Sequence, residues 1–221
     1  QVLILDEFST KSEKEQIALF KNGTFDCIIH IFPNKAIARL AKKARIPYRI
    51  GTSHRTFHWL TCNIRPNFTR KKSPLHEAQL NFELVRPLGL TSIPTWAEIN
   101  EATQAFVVEQ TPLPELLVPF TTEQIICLHP KSQGSAKEWP LSNYIALAKL
   151  LLENNKVVCF TGTANEGQLF RDQIPKHERC IDTTGLLSID QLCWLITISE
   201  GLVACSTGPL HIAGLLNKKA V

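Results

Sequence analysis

Short apolar runs alternate with segments of helical periodicity along the C-terminal part of the chain. The apolar runs are rich in β-branched or aromatic residues and predict buried strands at 125–128, 156–161, 180–182 and 202–205. The segments that follow them predict helices at 142–154, at 165–174, from the Ser188 cap onward, and at 209–216. Strands that are apolar on both faces and alternate with helices predict a doubly wound α/β domain with a parallel sheet.

The N-terminal part repeats this alternation less regularly. We predict strands at 2–5, 27–31 and 48–50, and helices at 12–21, 34–44 and 76–88. Prolines accumulate between residues 90 and 123, which favours an interdomain connection. The predicted organisation is a first α/β domain over 1–111, a linker over 112–122 and a second α/β domain over 123–221.

Composition limits the class of protein. No apolar run approaches the ~18 residues of a membrane span, and residues 1–7 lack the order of a signal peptide. The seven cysteines are an odd number and form no C-x-x-C pair, so we expect reduced core thiols and no metal site. We therefore expect a soluble cytoplasmic protein without a transmembrane segment. The absence of Met, with an apolar run at the start, predicts a fragment that lacks both ends.

Positive charge is concentrated in one stretch, although the formal net charge is only +4. Residues 27–76 contain no Asp or Glu, four histidines and eleven cations: Lys35, Arg39, Lys42, Lys43, Arg45, Arg49, Arg55, Arg65, Arg70, Lys71 and Lys72. Such a stretch favours a polyanionic partner, which would be nucleic acid, an anionic membrane face or a phosphorylated glycolipid. A solvated basic face without a partner remains an open alternative.

A corner between a strand and a helix is the sharpest candidate site, with the sequence C-S-T-G-P-L-H at 205–211. Thr207 or Gly208 can cap the helix, and Pro209 suits its first turn. A ligand can approach the backbone at Gly208, where the unpaired N–H groups favour an anion such as pyrophosphate. An ordinary turn would use the same residues.

Polar loops follow two further strands. The loop 129–140 carries hydroxyl groups with Lys131 and Lys137, and Lys137 would offset charge on a departing diphosphate. The loop 162–166 ends in Glu166, which can accept hydrogen bonds from ribose hydroxyls or favour the first turn of a helix. Dehydrogenase, kinase-like and hydrolase functions lose support, because G-x-G-x-x-G, P-loop and G-x-S-x-G motifs are absent.

The chain resembles the donor domain of glycosyltransferase family 9, the ADP-heptose:lipopolysaccharide heptosyltransferases. The resemblance lies in a series of motifs that occur in the same order. They are H-P-K-S, K-E-W-P-L-S-N-Y, F-T-G-T-A-N-E, L-L-S-I-D-Q-L and S-T-G-P-L-H-I-A-G-L. Residues 25–29, 46–51 and 76–89 resemble the later part of that family's first domain. The resemblance implies a GT-B fold, with two Rossmann-like domains that are each incomplete here. It also implies an inverting transferase that passes a heptose from an ADP-sugar to the lipopolysaccharide core.

The resemblance implies donor-binding positions in the second domain. Ser132 and Lys137 match the family's phosphate-contacting loop residues, and Glu166 matches its ribose-binding acid. Lys131, in the same loop, is a further candidate for binding phosphate oxygens. Leu187 corresponds to the apolar side chain that borders the base. The corner and the helix after it complete the set with Ser206, Thr207, Gly208 and His211. Ser206 stands where the family often has an aspartate that could bind sugar hydroxyls. Because this carboxylate is lost, heptose is the family's default sugar and is not deduced from these residues.

The acceptor side is expected in the first domain. An anionic glycolipid at the inner face of the inner membrane would explain the acid-free stretch, and Lys35, His54 and Arg55 near strand ends are the candidate contacts. No cofactor is expected, because the ADP-sugar is itself a substrate. An inverting transfer needs a general base. The resemblance assigns it to an aspartate on a glycine-containing loop upstream of this chain, so Asp6 is given no catalytic role and the catalytic residue is unknown.

Two other functions stay open on the sequence. A nucleotide-sugar epimerase of the same fold would use the same donor cleft without a lipid acceptor. A nonenzymatic nucleic-acid binder would use the basic stretch, but Phe57, Trp59 and Phe68 are too sparse for a stacking platform. We therefore expect no nucleic acid among the partners.

Overall fold

The computed structural model describes residues 4–221 except 70, 72, 133 and 135, and the chain divides into two compact units. The units are Gln1–Ile99 and Asn100–Val221, and the helix Trp96–Thr103 (α6) spans their boundary. In the first unit the strands are β1 (Cys27–Ile29) and β2 (Tyr48–Ile50). Its helices are α1 (Leu5–Ser9), α2 (Glu13–Asn22), α3 (Lys35–Lys43), α4 (Thr56–Thr61) and α5 (Glu77–Asn81).

The first unit is built on a parallel pair of strands, β1 and β2, with Cys27 opposite Tyr48. Helix α2 starts at a capping box in which Ser12 and Glu15 satisfy each other's backbone N–H groups. The apolar faces of α1, α2 and α3 pack together around Phe8, Phe20 and Leu40. Ile28 of β1 packs against the same cluster, so the helices are attached to the strand pair.

The second unit is a five-stranded parallel sheet with the order β5-β4-β3-β6-β7. Its strands are β3 (Ile125–His129), β4 (Val157–Phe160), β5 (Cys180–Asp182), β6 (Gly201–Ala204) and β7 (Lys219–Ala220). Its helices are α7 (Leu141–Glu153), α8 (Ala164–Gln168), α9 (Ile189–Ile198) and α10 (Gly208–Leu215).

Both faces of this sheet are covered, which explains the continuous apolar strands. On one face Cys127 and Cys159 pack in a cluster with Leu195 of α9 and other side chains. On the other face Leu128 and Phe160 pack against α7 and its neighbours. A fully buried side chain of this size contributes about 1.5–3 kcal/mol. The predicted doubly wound α/β arrangement is confirmed.

The segment predicted as a linker belongs to the second unit instead. Residues 115–120 form a short 3₁₀ helix, and Leu117 within it is completely buried in the same cluster as Ile125. Gln191 of α9 donates a hydrogen bond to the carbonyl of Pro112 at 2.7 Å. Residues 112–122 are therefore attached to the sheet by a buried apolar side chain and a hydrogen bond. The accumulation of prolines in the sequence gave no sign of these contacts.

Three predicted elements differ from the structure. The first predicted strand, 2–5, is wrong at Leu5, which begins a helix; residues 2 and 3 lie outside the described residues. Two acids in the first turn stabilise this helix by interacting with its dipole. The helix predicted at 165–174 ends at Gln168, because Phe170 turns inward with φ −145° and is 1% exposed. The helix predicted at 76–88 continues beyond Asn81 only as 3₁₀ turns, the second of which contains Pro87.

Candidate donor site at the strand ends

The loops after four neighbouring strands of the second unit enclose a cleft of about 560 Å³. The loops follow β3, β4, β5 and β6, whose carboxyl ends lie at one edge of the parallel sheet. Ligands of open α/β sheets bind at such an edge. The cleft therefore lies where the fold itself predicts a binding site.

The cleft brings together most of the donor-binding residues predicted from the sequence. Its lining includes Lys131, Ser132, Glu166, Leu187, Thr207 and Gly208. Lys137, Ser206 and His211 are exposed and do not line it. The structure therefore does not bring these three predicted residues into the cleft.

The corner at the start of α10 leaves its backbone donors open. Thr207 is the N-cap, but its hydroxyl donates to the carbonyl of Cys205 at 3.2 Å, and no side chain of the described residues caps this helix. A Cβ built on Gly208 would meet nothing within 4 Å, so the space in front of the backbone is empty. The first amides of a helix carry partial positive charge. This corner can accept an anion without any rearrangement of side chains.

Glu166 is buried and has a structural role of its own. It forms a capping box with Thr163, whose amide and hydroxyl donate to Glu166 Oε2 at 2.7 and 2.9 Å. Both bonds use the same oxygen, so Oε1 can still accept a hydrogen bond from a ligand hydroxyl. The capping role and the predicted ribose contact are therefore compatible.

Sequence reasoning missed two groups: His129, which lines the cleft, and Glu138, which contacts two residues that line it. His129 ends β3 and is buried, with Nδ1 2.9 Å from the hydroxyl of Thr161, and burial lowers the pKa of its imidazole. Glu138 folds back onto the loop after β3, where its carboxylate contacts Lys131 and Ser132. The available signals were the position of His129 at a strand end and the opposite charges of Lys131 and Glu138.

The predicted acceptor residues lie in loops that follow β1 and β2. Lys35 is the first residue of α3, and His54 and Arg55 precede α4. All three side chains are exposed, and Lys35 and Arg55 form no ion pair within the part of the chain that the structure describes. Because β1 and β2 are parallel neighbours, these loops lie at the same edge of the pair.

Several cations of the acid-free stretch are engaged inside the first unit. The guanidinium of Arg49 donates to the carbonyl of Thr61 at 2.8 Å, and Lys42 donates to the carbonyl of Leu60 at 2.7 Å. Arg65 lies over the ring of Trp59, 4.8 Å from its centroid. Arg70 and Lys72 lie outside the described residues. Fewer side chains of this stretch are therefore free to contact a partner than the sequence lists.

A pair of buried histidines also lies in the first unit. His30 follows β1, His58 is in α4, and their ring centroids are 5.4 Å apart. Within the described residues neither Nε2 atom has a hydrogen-bond partner. Burial lowers the pKa of His30 to about 4 and also lowers the pKa of His58. Both imidazoles are therefore neutral at physiological pH.

The residues that the structure describes contain neither a metal site nor a membrane-spanning helix. No group of three or more His, Cys, Asp or Glu side chains there could hold a metal ion. All seven cysteines are free thiols. Across the same residues no helix combines the length and apolar character needed to cross a membrane.

The second unit is thus a doubly wound α/β domain with an open helix start at the edge of the sheet where such folds bind ligands. The sequence profile of glycosyltransferase family 9 (heptosyltransferase) matches residues 18–221. The chain belongs to this family.

Individual relatives agree with the family assignment. A lipooligosaccharide heptosyltransferase 2 of Haemophilus ducreyi is 26% identical over 224 residues, covering 93% of this chain and 62% of that protein. Among solved structures, E. coli heptosyltransferase WaaC with ADP-2-deoxy-2-fluoro heptose superimposes with a TM-score of 0.71 at 13% identity, covering 99% of this chain and 70% of that one. E. coli ADP-heptose lps heptosyltransferase II gives 0.65 at 18% identity, covering 96% and 66%. The predicted α/β fold class of GT-B type is confirmed.

Proposed function

We propose that the chain provides the donor-binding part, and a portion of the acceptor side, of an inverting glycosyltransferase acting on lipopolysaccharide. The enzyme would move a heptose from an ADP-sugar to an acceptor hydroxyl of the inner core. The observation that carries the proposal is the uncapped corner at Thr207 and Gly208, which opens into a cleft lined by the predicted donor residues. The chain spans 62% of the length of its Haemophilus ducreyi relative, so the activity proposed is that of the whole protein.

The cleft suits a nucleoside diphosphate in three ways. Backbone amides at Gly208 and Leu210 would donate to the diphosphate, aided by the dipole of α10. Lys137, exposed in the loop after β3, would add an ammonium that stabilises charge on the departing diphosphate. Glu166 would accept hydrogen bonds from ribose hydroxyls, and Leu187 would pack against the base. Donors fixed before the reaction cost little reorganisation when charge develops on the leaving group.

Related structures support an adenine nucleotide as the donor. The E. coli heptosyltransferase WaaC has been solved with ADP and with ADP-2-deoxy-2-fluoro heptose. Heptose is taken from the family as the default sugar and is not deduced from this site. Ser206 is exposed at the corner and offers a hydroxyl where the family often has a carboxylate that could bind sugar hydroxyls. The donor is consumed in the reaction, and we propose no resident cofactor.

The transfer itself would be a single displacement. The acceptor oxygen forms a bond to the anomeric carbon as the bond from that carbon to the diphosphate breaks, and a general base takes the acceptor proton. Lys35, His54 and Arg55 would hold an anionic glycolipid at the cytoplasmic face of the inner membrane. Asp6 lies exposed in the first turn of α1, and we assign it no part in the reaction.

Thermal-shift titration with ADP-, UDP- and GDP-sugars tests the donor assignment. We expect an ADP-sugar to raise the melting temperature most, because binding only to the folded state stabilises it by mass action. Lys137→Ala should weaken ADP affinity roughly tenfold by removing one charge-assisted contact. Lys149→Ala is the matched control, since Lys149 is exposed on α7 away from the cleft.

Two results would count against this proposal. Stabilisation by UDP-sugars alone would favour the epimerase alternative. Tight, strongly salt-dependent oligonucleotide binding without any response to nucleotide sugars would favour a nucleic-acid binder.

A further inference from the structure

Glu138 closes the loop that follows β3 through three contacts. Its Oε1 accepts a hydrogen bond from the amide of Ser132 at 2.9 Å and lies 3.1 Å from the Ser132 hydroxyl. Its Oε2 accepts from Lys131 Nζ at 2.9 Å. The hydrogen bond from Lys131 is the largest of the causes that lower the pKa of Glu138 below its ordinary value. The carboxylate is therefore ionised at neutral pH.

The groups that hold Glu138 are also groups that the cleft offers to a ligand. Lys131 and Ser132 both line the cleft at the strand ends. Carboxylate and phosphate oxygens accept the same charge-assisted hydrogen bonds from ammonium, amide and hydroxyl donors. Two anions repel each other and cannot both take the same N–H groups. Glu138 thus occupies a place for which a phosphate group would compete.

The corner of α10 provides a contrast within the same cleft. Its N-cap Thr207 makes no side-chain capping bond, and the space over Gly208 is open. The corner after β6 therefore has open backbone donors, whereas the loop after the neighbouring strand β3 has donors already bound to an internal anion. An arriving diphosphate would find the first set ready and would have to displace Glu138 from the second.

We propose that Glu138 is an internal competitor of the nucleotide diphosphate for Lys131 and Ser132, and that it sets how tightly the diphosphate product is held. This inference rests on the proposed donor site. When a diphosphate binds, the Glu138 carboxylate moves off Lys131 and Ser132. After sugar transfer the carboxylate returns to these donors, which promotes dissociation of the nucleoside diphosphate. Glu138 is an affinity-determining residue and touches no reacting atom.

The test removes the charge of Glu138 while keeping its shape. In Glu138→Gln, affinity for ADP and for pyrophosphate, measured by calorimetry, should rise roughly fivefold to tenfold. Stopped-flow displacement of a fluorescent ADP analogue should show that most of the gain is slower dissociation. Adenosine, which has no phosphate, should bind the variant and the wild type equally.

Two further variants control for structure. Glu178→Gln removes the same charge from an exposed position of the second unit that does not line the cleft, and its ADP affinity should equal that of the wild type. Glu138→Ala removes the carboxylate without leaving an amide, and it should also bind pyrophosphate more tightly. Circular dichroism and melting curves of each variant establish that it is folded before affinities are compared.

The outcomes separate this inference from the proposed function. If the wild type binds ADP but Glu138→Gln and Glu138→Ala bind it equally or more weakly, Glu138 is a support for the loop and the competitor role is overturned. If the wild type and both variants bind neither ADP nor pyrophosphate, the donor site itself is overturned. Tighter binding of adenosine as well would also refute the inference, since the effect would not act on phosphate.

Discussion

The two units of the chain offer different kinds of positive group to an anion. The second unit offers backbone amides at Gly208 and Leu210, at the edge of a five-stranded sheet with both faces buried. The first unit offers exposed side chains such as Lys35 and Arg55, in loops that follow a pair of short strands.

This difference determines what each unit can recognise. Fixed amides at a helix start bind an anion of defined shape at a defined place, and nearby burial protects them from screening. Long exposed cations create a field that draws in many anions and weakens as salt increases. We therefore expect the second unit to select its ligand and the first unit to attract and orient a large polyanion. The following predictions test this contrast from the largest expected effect to the smallest.

The largest effect is expected from blocking the open corner. In Gly208→Leu the new side chain would fill the space where the diphosphate binds, and ADP affinity should fall roughly a hundredfold. Because a Cβ at this position meets nothing within 4 Å in the unliganded fold, the melting temperature should barely change. Calorimetric titration with ADP measures the first quantity and a thermal melt measures the second.

The control for this variant lies in the same helix. Gly214 also has nothing within 4 Å of a built Cβ and does not line the cleft, so Gly214→Leu should bind ADP like the wild type. Equal ADP affinity in Gly208→Leu and the wild type would place the diphosphate away from this corner.

A smaller effect is expected from acid on the first unit. The unfolded chain binds protons at histidine as the pH falls below 6.5, whereas buried His30 stays neutral until about pH 4. Stability is therefore complete above pH 6.5 and should be lost progressively between pH 6.5 and about 4, by roughly 1–3 kcal/mol. The pKa of His58 is lowered as well, first by burial and further by the nearby positive charge of Arg55.

Urea unfolding at pH 7.5 and 4.5 measures this loss, followed by the fluorescence of Trp59 in a background in which Trp96, Trp139 and Trp194 are replaced by Phe. His30→Phe should reduce the difference between the two pH values. His177→Phe, at an exposed position of the second unit, should leave it unchanged. A wild-type stability that is independent of pH over this range would show that the pair is protonated or hydrated when folded.

The smallest effect is expected at the exposed cations. Lys35→Ala combined with Arg55→Ala should raise the acceptor KM of the whole enzyme about threefold at low salt, with less effect at high salt. The kcat should stay the same, because these side chains attract the acceptor without touching the reacting atoms. Initial rates at two ionic strengths provide the measurement. An unchanged KM at both would remove these residues from the acceptor site.

Sequence reasoning worked best where structure follows from local periodicity. The strands from Ile125 to Ala204 were predicted because a run buried on both faces is apolar throughout, and the corner at Gly208 was predicted because strand, glycine and proline occur in order. The break before Phe170 and the burial of Leu117 were missed, because both depend on contacts with residues distant in the chain.

In the site, too, features set by local sequence were predicted and features set by contacts between distant residues were missed. Lys131, Ser132 and Glu166 were found by their place after strands, and the cleft contains them. The opposite charges of Lys131 and Glu138 were a signal for their ion pair, but the hydrogen bond from the Ser132 amide to Glu138 depends on tertiary folding and could not be predicted. The His30–His58 pair also escaped, since packing between β1 and α4 creates it. Charge alone overstated the free cations of the first unit, because several of them bind backbone carbonyls.

The central claim is that backbone amides at the start of α10 bind a diphosphate, and a crystal structure with ADP tests it most directly. We predict diphosphate oxygens about 3 Å from the amide nitrogens of Gly208 and Leu210, with the ribose against Glu166. A structure in which the corner is empty while ADP is ordered elsewhere, or in which the protein's own side chains fill the corner, would contradict the account.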